Sequence, residues 1–351
     1  MSATRVVVAD DSAFMRRLIS DVLTRADMDV VATAANGREA IEACRAHKPD
    51  VLSLDLAMPE VDGLGVMRAL RGMTEMRTVV VSSFSEADGV RAVDALAEGA
   101  FELVPKRASG GKLQDFLDDL LSKIQAAAFE RKRAPRRNTN GLELPSAPKP
   151  TAKQKVARAK AAAGGGRRLI FIASSTGGPR ALTTVVSKLP ADVGLGAVIV
   201  QHMPAGFTQS LATRLDAYSA LNVSEAADGD KIERGRVLVA PGGRHTHIQR
   251  HRIELSDEPA IGGLRPCADL TLADAVGEFG PNIVLAVLTG MGRDACSGAR
   301  MVREAGGVVI AEHGDTTTVN GMPKAVVDAG LADGILPIGE IADAIAEAAG
   351  E

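Results

Sequence analysis

Val51-Leu52-Ser53-Leu54-Asp55-Leu56-Ala57-Met58-Pro59-Glu60-Val61-Asp62-Gly63 reads as a strand, a turn and the first residue of a helix. The run Val51–Asp55 lacks a strict polar–apolar alternation, which suits a strand covered on both faces. Pro59 interrupts the chain behind it, and a helical period opens at Gly63. The same unit repeats on either side. Strands are predicted at Arg5–Ala9, Asp29–Ala34, Thr78–Ser82 and Phe101–Val104, with helices starting near Ser12, Gly37, Glu86 and Gly111. Five such units in about 125 residues predict a doubly wound parallel sheet.

Residues 131–168 break this pattern: twelve Lys or Arg face one acid, Glu143, a local balance of +11 in a chain of net charge −3. Pro135, Pro145, Pro148, Pro150 and Gly164-Gly165-Gly166 fall in the same stretch, which has no apolar period. A mobile basic linker is the expected structure, with weak helix over 152–163. A solvated tether is the favoured role, and a tail for nucleic acid or an acidic partner is the alternative. The expected organisation is a first domain over 1–125, the linker over 126–166 and a second domain over 167–351.

In the second domain, strands are expected at Leu169–Ala173, Ala197–Gln201, Ile283–Leu288 and Val308–Glu312. Helices follow Pro179 and start near Phe207, Cys267, Asp294 and Pro337. A strand-rich patch from Val223 to Leu255 is read as an antiparallel insertion in a second α/β sheet.

Ligands of parallel α/β sheets sit beyond the carboxyl ends of the strands. In the first domain those ends carry Asp10-Asp11, Asp55, Ser82-Ser83 and Lys106. Three converging carboxylates repel one another, so a hard divalent cation is implied, and oxygen ligands suit Mg²⁺. Asp55 then stands as a nucleophilic acceptor for a phosphoryl group held by the metal and Lys106. In the second domain, Ser174-Ser175-Thr176-Gly177-Gly178-Pro179, Gln201-His202-Met203-Pro204 and Thr289-Gly290-Met291-Gly292-Arg293-Asp294 occupy three strand ends. Serine, histidine and aspartate on three such loops suit a nucleophile, a base and an orienting carboxylate. Their order is not that of the α/β-hydrolases, and no G-x-S-x-G elbow is present.

Both halves resemble known families. Val8-Ala9-Asp10-Asp11-Ser12, Leu54 to Gly63 and Val104-Pro105-Lys106 are similar to response-regulator receiver domains, a flavodoxin-like fold. The resemblance implies phosphorylation of Asp55 by a histidine kinase, Mg²⁺ on Asp10, Asp11 and Asp55, Ser82 as the switch hydroxyl and Lys106 as the phosphate contact. Arg107 stands where the family has proline after the lysine, and Leu103 where many receivers carry an aromatic. The serine, histidine and aspartate loops resemble the chemotaxis protein-glutamate methylesterases, the CheB family. Ala240-Pro241-Gly242-Gly243 and Gly321-Met322-Pro323 add to that likeness.

This second resemblance implies Ser175 as nucleophile, His202 as base and Asp294 as orienter, with Thr176 and the backbone around Met291 shaping the oxyanion site. Its implied reaction is phosphorylation-activated hydrolysis of glutamate γ-methyl esters on a methyl-accepting chemoreceptor, with glutamine deamidation in some members. No cofactor is implied for the hydrolysis. Four departures stand near these motifs: Ala173-Ser174 for Gly-Ala, Cys267 for serine, Ala295 for glycine and Asn320 for an aromatic. A phosphorylation-dependent binding protein with a weak or repurposed hydrolase domain is the alternative.

Two further patterns compete. Gly290 to Ala295 matches G-x-G-x-x-A, with Glu312 at the next strand end, as in a dinucleotide site. His245-Thr246-His247 with His251 suggests a metal cluster, but no carboxylate or cysteine is near in sequence, so solvent-facing imidazoles are expected. Eight Phe, one Tyr and no Trp disfavour a binder that stacks single-stranded bases, and no nucleic-acid partner is expected. Cys44, Cys267 and Cys296 lack CxxC spacing and read as reduced cytosolic thiols. The early charges Arg5, Asp10 and Asp11 argue against a secretory signal. The apolar run Ile283–Leu288 is far too short to span a bilayer. A cytoplasmic monomer without membrane insertion is expected.

Overall fold

The computed structural model describes residues 3–73, 75–83, 86–106, 113–133 and 167–350. The chain divides between Pro145 and Ser146 into two compact units. Residues 134–166, most of the expected linker with its weak helix, lie outside the described residues, as does Arg107.

The first unit alternates β1 (Arg5–Ala9), α1 (Ala13–Arg25), β2 (Asp29–Ala34), α2 (Gly37–His47), β3 (Val51–Asp55), α3 (Gly63–Ala69), β4 (Arg77–Ser82), α4 (Glu86–Ala97), β5 (Glu102–Pro105) and α5 (Leu113–Arg133). Its sheet is parallel throughout, in the order β2-β1-β3-β4-β5. All five residues of β3 are buried, as expected for a strand covered on both faces. Strand order reverses between β1 and β3, which opens a crevice at Asp10 and Asp55. Asp62 caps α3, accepting the Gly65 N–H at 2.8 Å, so this acid of the motif serves the helix and not the crevice.

Helix α5 continues through residues 126–133, which the boundary at 125 assigned to the linker. Ala126, Ala127 and Ala128 favour helix, and Ala127 and Ala128 are buried. Arg131 belongs to this fold too: it pairs with Asp50, and its Nε donates to Glu75 O at 2.7 Å.

The second unit contains β6 (Leu169–Ser174), α6 (Gly178–Val186), β7 (Ala197–Gln201), α7 (Phe207–Ala217), β8 (Asn222–Glu225), β9 (Arg236–Val239), β10 (His245–Gln249), β11 (Arg252–Ser256), α8 (Ala268–Phe279), β12 (Ile283–Val287), α9 (Cys296–Glu304), β13 (Val308–Glu312), α10 (Met322–Asp328), β14 (Gly334–Leu336) and α11 (Ile338–Ala349). Seven parallel strands run in the order β14-β13-β12-β6-β7-β9-β8. The antiparallel insertion is the β10–β11 hairpin alone, because β8 and β9 join the main sheet in parallel. Phe171, Leu285 and Val309 from the sheet and Leu272 and Val302 from the helices share one buried core. The chain starts this sheet at β6 in its middle and builds outward on both sides. The reversal therefore falls beside β6, whose end delivers Ser174 and Ser175.

Candidate functional site

In the first unit, one carboxylate oxygen each from Asp10, Asp11 and Asp55 falls within a span of 4.8 Å. Asp10 and Asp55 are each 1% exposed, at the ends of adjacent strands. Lys106 Nζ lies 2.6 Å from Asp55 Oδ2 and 2.9 Å from Asp10 Oδ2. Burial pushes the Asp10 carboxyl above its ordinary range, against the pull of Lys106. Burial also works against the Lys106 ammonium, but Asp55 and Asp10 outweigh it and its pKa is raised. Pairing between β4 and β5 sets Ser82 beside Pro105, and Lys106 N–H donates to Ser82 O at 2.7 Å. The fold thus brings together Asp10, Asp11, Asp55 and Lys106, with the Ser82 backbone beside Lys106 and the Ser82 hydroxyl donating to Ser83 O at 3.3 Å. An all-oxygen donor set with three carboxylates in reach of one point fits Mg²⁺. Leu103 is buried within β5, and its carbonyl accepts Lys123 Nζ at 2.8 Å.

In the second unit, β6 and β7 pair Ser174 with Gln201, so the next residues, Ser175 and His202, leave two neighbouring strands together. His202 Nε2 meets Asp294 Oδ2 at 2.7 Å, which leaves Nδ1 as the basic nitrogen. Asp294 also accepts Ala268 N–H at 2.7 Å, Asp269 N–H at 2.9 Å and Ala295 N–H at 2.9 Å. The Cys267 thiol approaches its Oδ1 at 3.4 Å. Burial alone would raise the Asp294 carboxyl. Bonding to His202 and to the backbone N–H groups of Ala268 and Asp269 more than offsets it, and the pKa falls to about 2. Burial and the Asp294 charge push the Cys267 thiol up to about 11, so it stays a donor.

The third loop reaches Ser175 because residue 290 is glycine. A Cβ there would lie 2.3 Å from Met322 Sδ and 2.9 Å from Ser175 Cβ. Gly290 also accepts the N–H groups of Gly321 and Met322 at 3.0 and 2.9 Å, which ties in the Gly321-Met322-Pro323 motif. Asn320 forms a parallel bridge with Gly290. Thr176 is buried, and its carbonyl accepts Thr289 Oγ1 at 2.9 Å. Met291 is 46% exposed beside them.

Three contributors escaped sequence reasoning. Gln201 bonds both the Ser175 and His202 carbonyls; a polar residue ending an apolar strand was its only signal. Thr289 Oγ1 accepts Thr318 N–H and Val319 N–H at 3.0 Å each, joining three loops. The start of α8 holds Asp294 from 26 residues away, and no local pattern encodes that.

The competing patterns are otherwise engaged. Glu312 is buried and accepts Thr289 N–H at 2.8 Å and Thr316 Oγ1 at 2.9 Å, while Asp294 fills the turn where a pyrophosphate would sit. His245 is fully buried, with Nε2 3.1 Å from Pro259 O, which corrects the solvent-facing expectation. His247 Nδ1 pairs with Asp274 at 2.8 Å, and His251 stacks on Phe279. The only cluster of three metal-competent side chains among the described residues is the Asp10, Asp11, Asp55 group. All three cysteines are free and buried.

Residues 170–345 match the CheB methylesterase family model, and residues 6–118 match the response regulator receiver domain. The chain belongs to the CheB methylesterase family. It is similar to a protein-glutamate methylesterase/protein-glutamine glutaminase of Symbiobacterium thermophilum, 41% identical over 99% of this chain and 97% of that protein. A Myxococcus xanthus protein named protein-glutamate methylesterase/protein-glutamine glutaminase 5 is 40% identical over 96% of each. The crystal structure of the Thermotoga maritima CheB methylesterase catalytic domain is 41% identical and has a TM-score of 0.50. The match covers 52% of this chain and 98% of that one. CheB relatives named as hydrolases along nearly their whole length do not favour the binding-only alternative. No helix of the described residues is long and apolar enough to cross a membrane.

Proposed function

We propose that the chain hydrolyses glutamate γ-methyl esters on a methylated chemoreceptor, with Ser175, His202 and Asp294 as the catalytic set, switched by phosphorylation of Asp55. The observation that carries this reading is the 2.7 Å His202–Asp294 pair beside the turn that presents Ser175. Ser175 Oγ attacks the ester carbonyl while His202 Nδ1 takes its proton, a role open to it because Nε2 is engaged. Asp294, held well below the ordinary carboxylate pKa, stays anionic and balances the imidazolium. Thr176 and the backbone at Met291 cradle the developing oxyanion, next to the positive end of α6. Collapse expels methoxide, which leaves as methanol with the proton from His202. Water then attacks the glutamyl-Ser175 ester, with His202 again the base, and frees the carboxylate. The same steps on a glutamine side chain release ammonia, the second activity in the relatives' shared name.

A histidine kinase supplies the phosphoryl group to Asp55. Asp10, Asp11 and Asp55 would hold Mg²⁺, which would offset negative charge in the crevice, and Lys106 and Ser82 would contact the phosphoryl group on Asp55. Phosphorylation adds roughly two negative charges to the crevice. A coupling of about 1–3 kcal/mol would change the active population roughly 5- to 150-fold. The test is methanol release from methylated receptor, with and without a small phosphodonor and Mg²⁺. Ser175→Ala is expected to lose several orders of magnitude. Turnover by Ser175→Ala near the wild-type rate would refute the mechanism.

A further inference from the structure

We infer that Gln201 is the positioning residue for the nucleophile turn and that Ser174 fixes the direction of its amide. The inference rests on Ser175 being the nucleophile. Both side chains are buried at paired positions on β6 and β7. Ser174 Oγ donates to Gln201 Oε1 at 2.7 Å. That claims the amide oxygen and turns Nε2 toward two carbonyls, Ser175 O at 2.9 Å and His202 O at 3.1 Å. An amide nitrogen has two protons, so both are used. The reversed amide would set its oxygen against two carbonyl oxygens and lose both bonds. The first residue of α6 is fitted to this clasp: a Cβ on Gly178 would lie 1.8 Å from Gln201 Oε1.

The consequence for catalysis follows from the planar peptide. Ser175 C=O and Thr176 N–H belong to one peptide and point in opposite directions. Gln201 Nε2 and Gly178 N–H, at 2.9 and 2.7 Å, fix that carbonyl and thereby aim the Thr176 N–H. The same amide bonds the His202 backbone carbonyl, while the His202 imidazole is held separately by Asp294. The alanine that commonly stands at position 174 in the family motif would leave Oε1 without this donor. The serine at 174 is therefore a functional part of this chain's site.

The experiment uses the full chain with a small phosphodonor, methylated receptor as substrate, and a fluorophosphonate probe that labels Ser175. Gln201→Met keeps the volume and removes the amide. It is expected to lower kcat about 100-fold, the effect of one misplaced oxyanion donor, with KM within about twofold. The pH midpoint of labelling should stay put, because the His202–Asp294 pair is untouched. Ser174→Ala should lower kcat about fivefold, the equivalent of one hydrogen bond. The double variant should be no slower than Gln201→Met, since Ser174 acts through Gln201. Wild-type kcat in Gln201→Met, or multiplicative losses in the double variant, would overturn the inference. A moved labelling midpoint would also overturn it by placing Gln201 in the base instead. If Gln201→Met does not fold, folded Ser174→Ala decides alone: an unchanged kcat refutes the clasp. Retained turnover in Ser175→Ala would instead point to failure of the nucleophile assignment.

Discussion

Replacing Asp294 by asparagine changes one atom and should disable the site in two measurable ways. Oδ1 receives Asp269 N–H and Ala295 N–H, with the Cys267 thiol nearby, whereas Oδ2 receives Ala268 N–H and His202 Nε2. An asparagine keeps its oxygen on the side with more donors, so its NH₂ replaces Oδ2 and confronts the Ala268 N–H. His202 Nε2 must then accept a hydrogen bond from that NH₂, which moves the ring proton to Nδ1 and leaves the proposed nucleophile, Ser175, without its base. A wrong tautomer of this kind costs about 10⁴-fold in kcat. Stability responds as well. The carboxyl titrates at about 2 against an ordinary value of 3.8, worth on the order of 2 kcal/mol at about 1.36 kcal/mol per pH unit. A depressed folded-state pKa gives stability that is present above the unfolded value and is lost as pH falls through the folded one. About 1 kcal/mol should therefore be gone by pH 3. Tyr218 is the sole tyrosine of a chain without tryptophan, so its fluorescence follows unfolding of the catalytic unit alone. Denaturant titrations at pH 5 and pH 3 should show the gap between wild type and Asp294→Asn narrowing. A variant within tenfold of wild-type kcat, or a gap equal at both pH values, would refute this account.

Asp55→Asn should abolish activation by phosphodonor while unstimulated turnover stays at the wild-type level, as measured by methanol release. Lys106→Ala should still take up phosphate, measured as acid-labile label, but with a blunted rise in activity. Ala295 has φ 68° in a buried turn, a left-handed conformation that costs a residue with a Cβ about 1–2 kcal/mol. Ala295→Gly relieves that strain, but it loses a methyl group worth about 0.8 kcal/mol and adds unfolded-chain entropy of about 0.4–1 kcal/mol. Its unfolding free energy should stay within about 1 kcal/mol of wild type, and a loss above about 2 kcal/mol would contradict the balance.

Strand and helix alternation was legible because sheets covered on both faces leave continuous apolar runs, as in Val51–Asp55 and Ile283–Val287. The errors lie where pattern and pairing part company. Strands β8 and β9 have four residues each, with Gly229 and Gly235 between them, which reads locally like a hairpin. Their parallel pairing depends on the partner β7 already in the sheet. Helix α10 and strand β14, of seven and three residues, are too short to carry a period. The end of α5 reads as linker in the sequence because Arg131 looks like tether charge, and the structure instead pairs it with Asp50. In the site, residue types at strand ends pointed to the candidate groups, since topology alone gathers those ends. What holds them in place, Gln201, Thr289 and the first N–H groups of α8, acts through contacts that sequence spacing does not express.

Asp294 shows why such contacts matter to the chemistry. A helix exposes unpaired N–H groups in its first turn, and a side chain at the N-cap ordinarily accepts one. Cys267 occupies that place in α8 and makes no side-chain capping bond. The cap comes instead from Asp294, which takes the N–H groups of Ala268 and Asp269. A carboxylate at a helix N-terminus is stabilised as the anion by those donors and by the helix dipole. The anion is also the form that keeps the His202 proton on Nε2 and leaves Nδ1 unprotonated, as the proposed base requires. Packing α8 against the sheet and setting the tautomer of His202 are thus served by one ionised group. Weakening of the helix cap and loss of the proposed base should appear together in a neutral substitution at 294, and an acidic residue one methylene longer must displace either α8 or the imidazole.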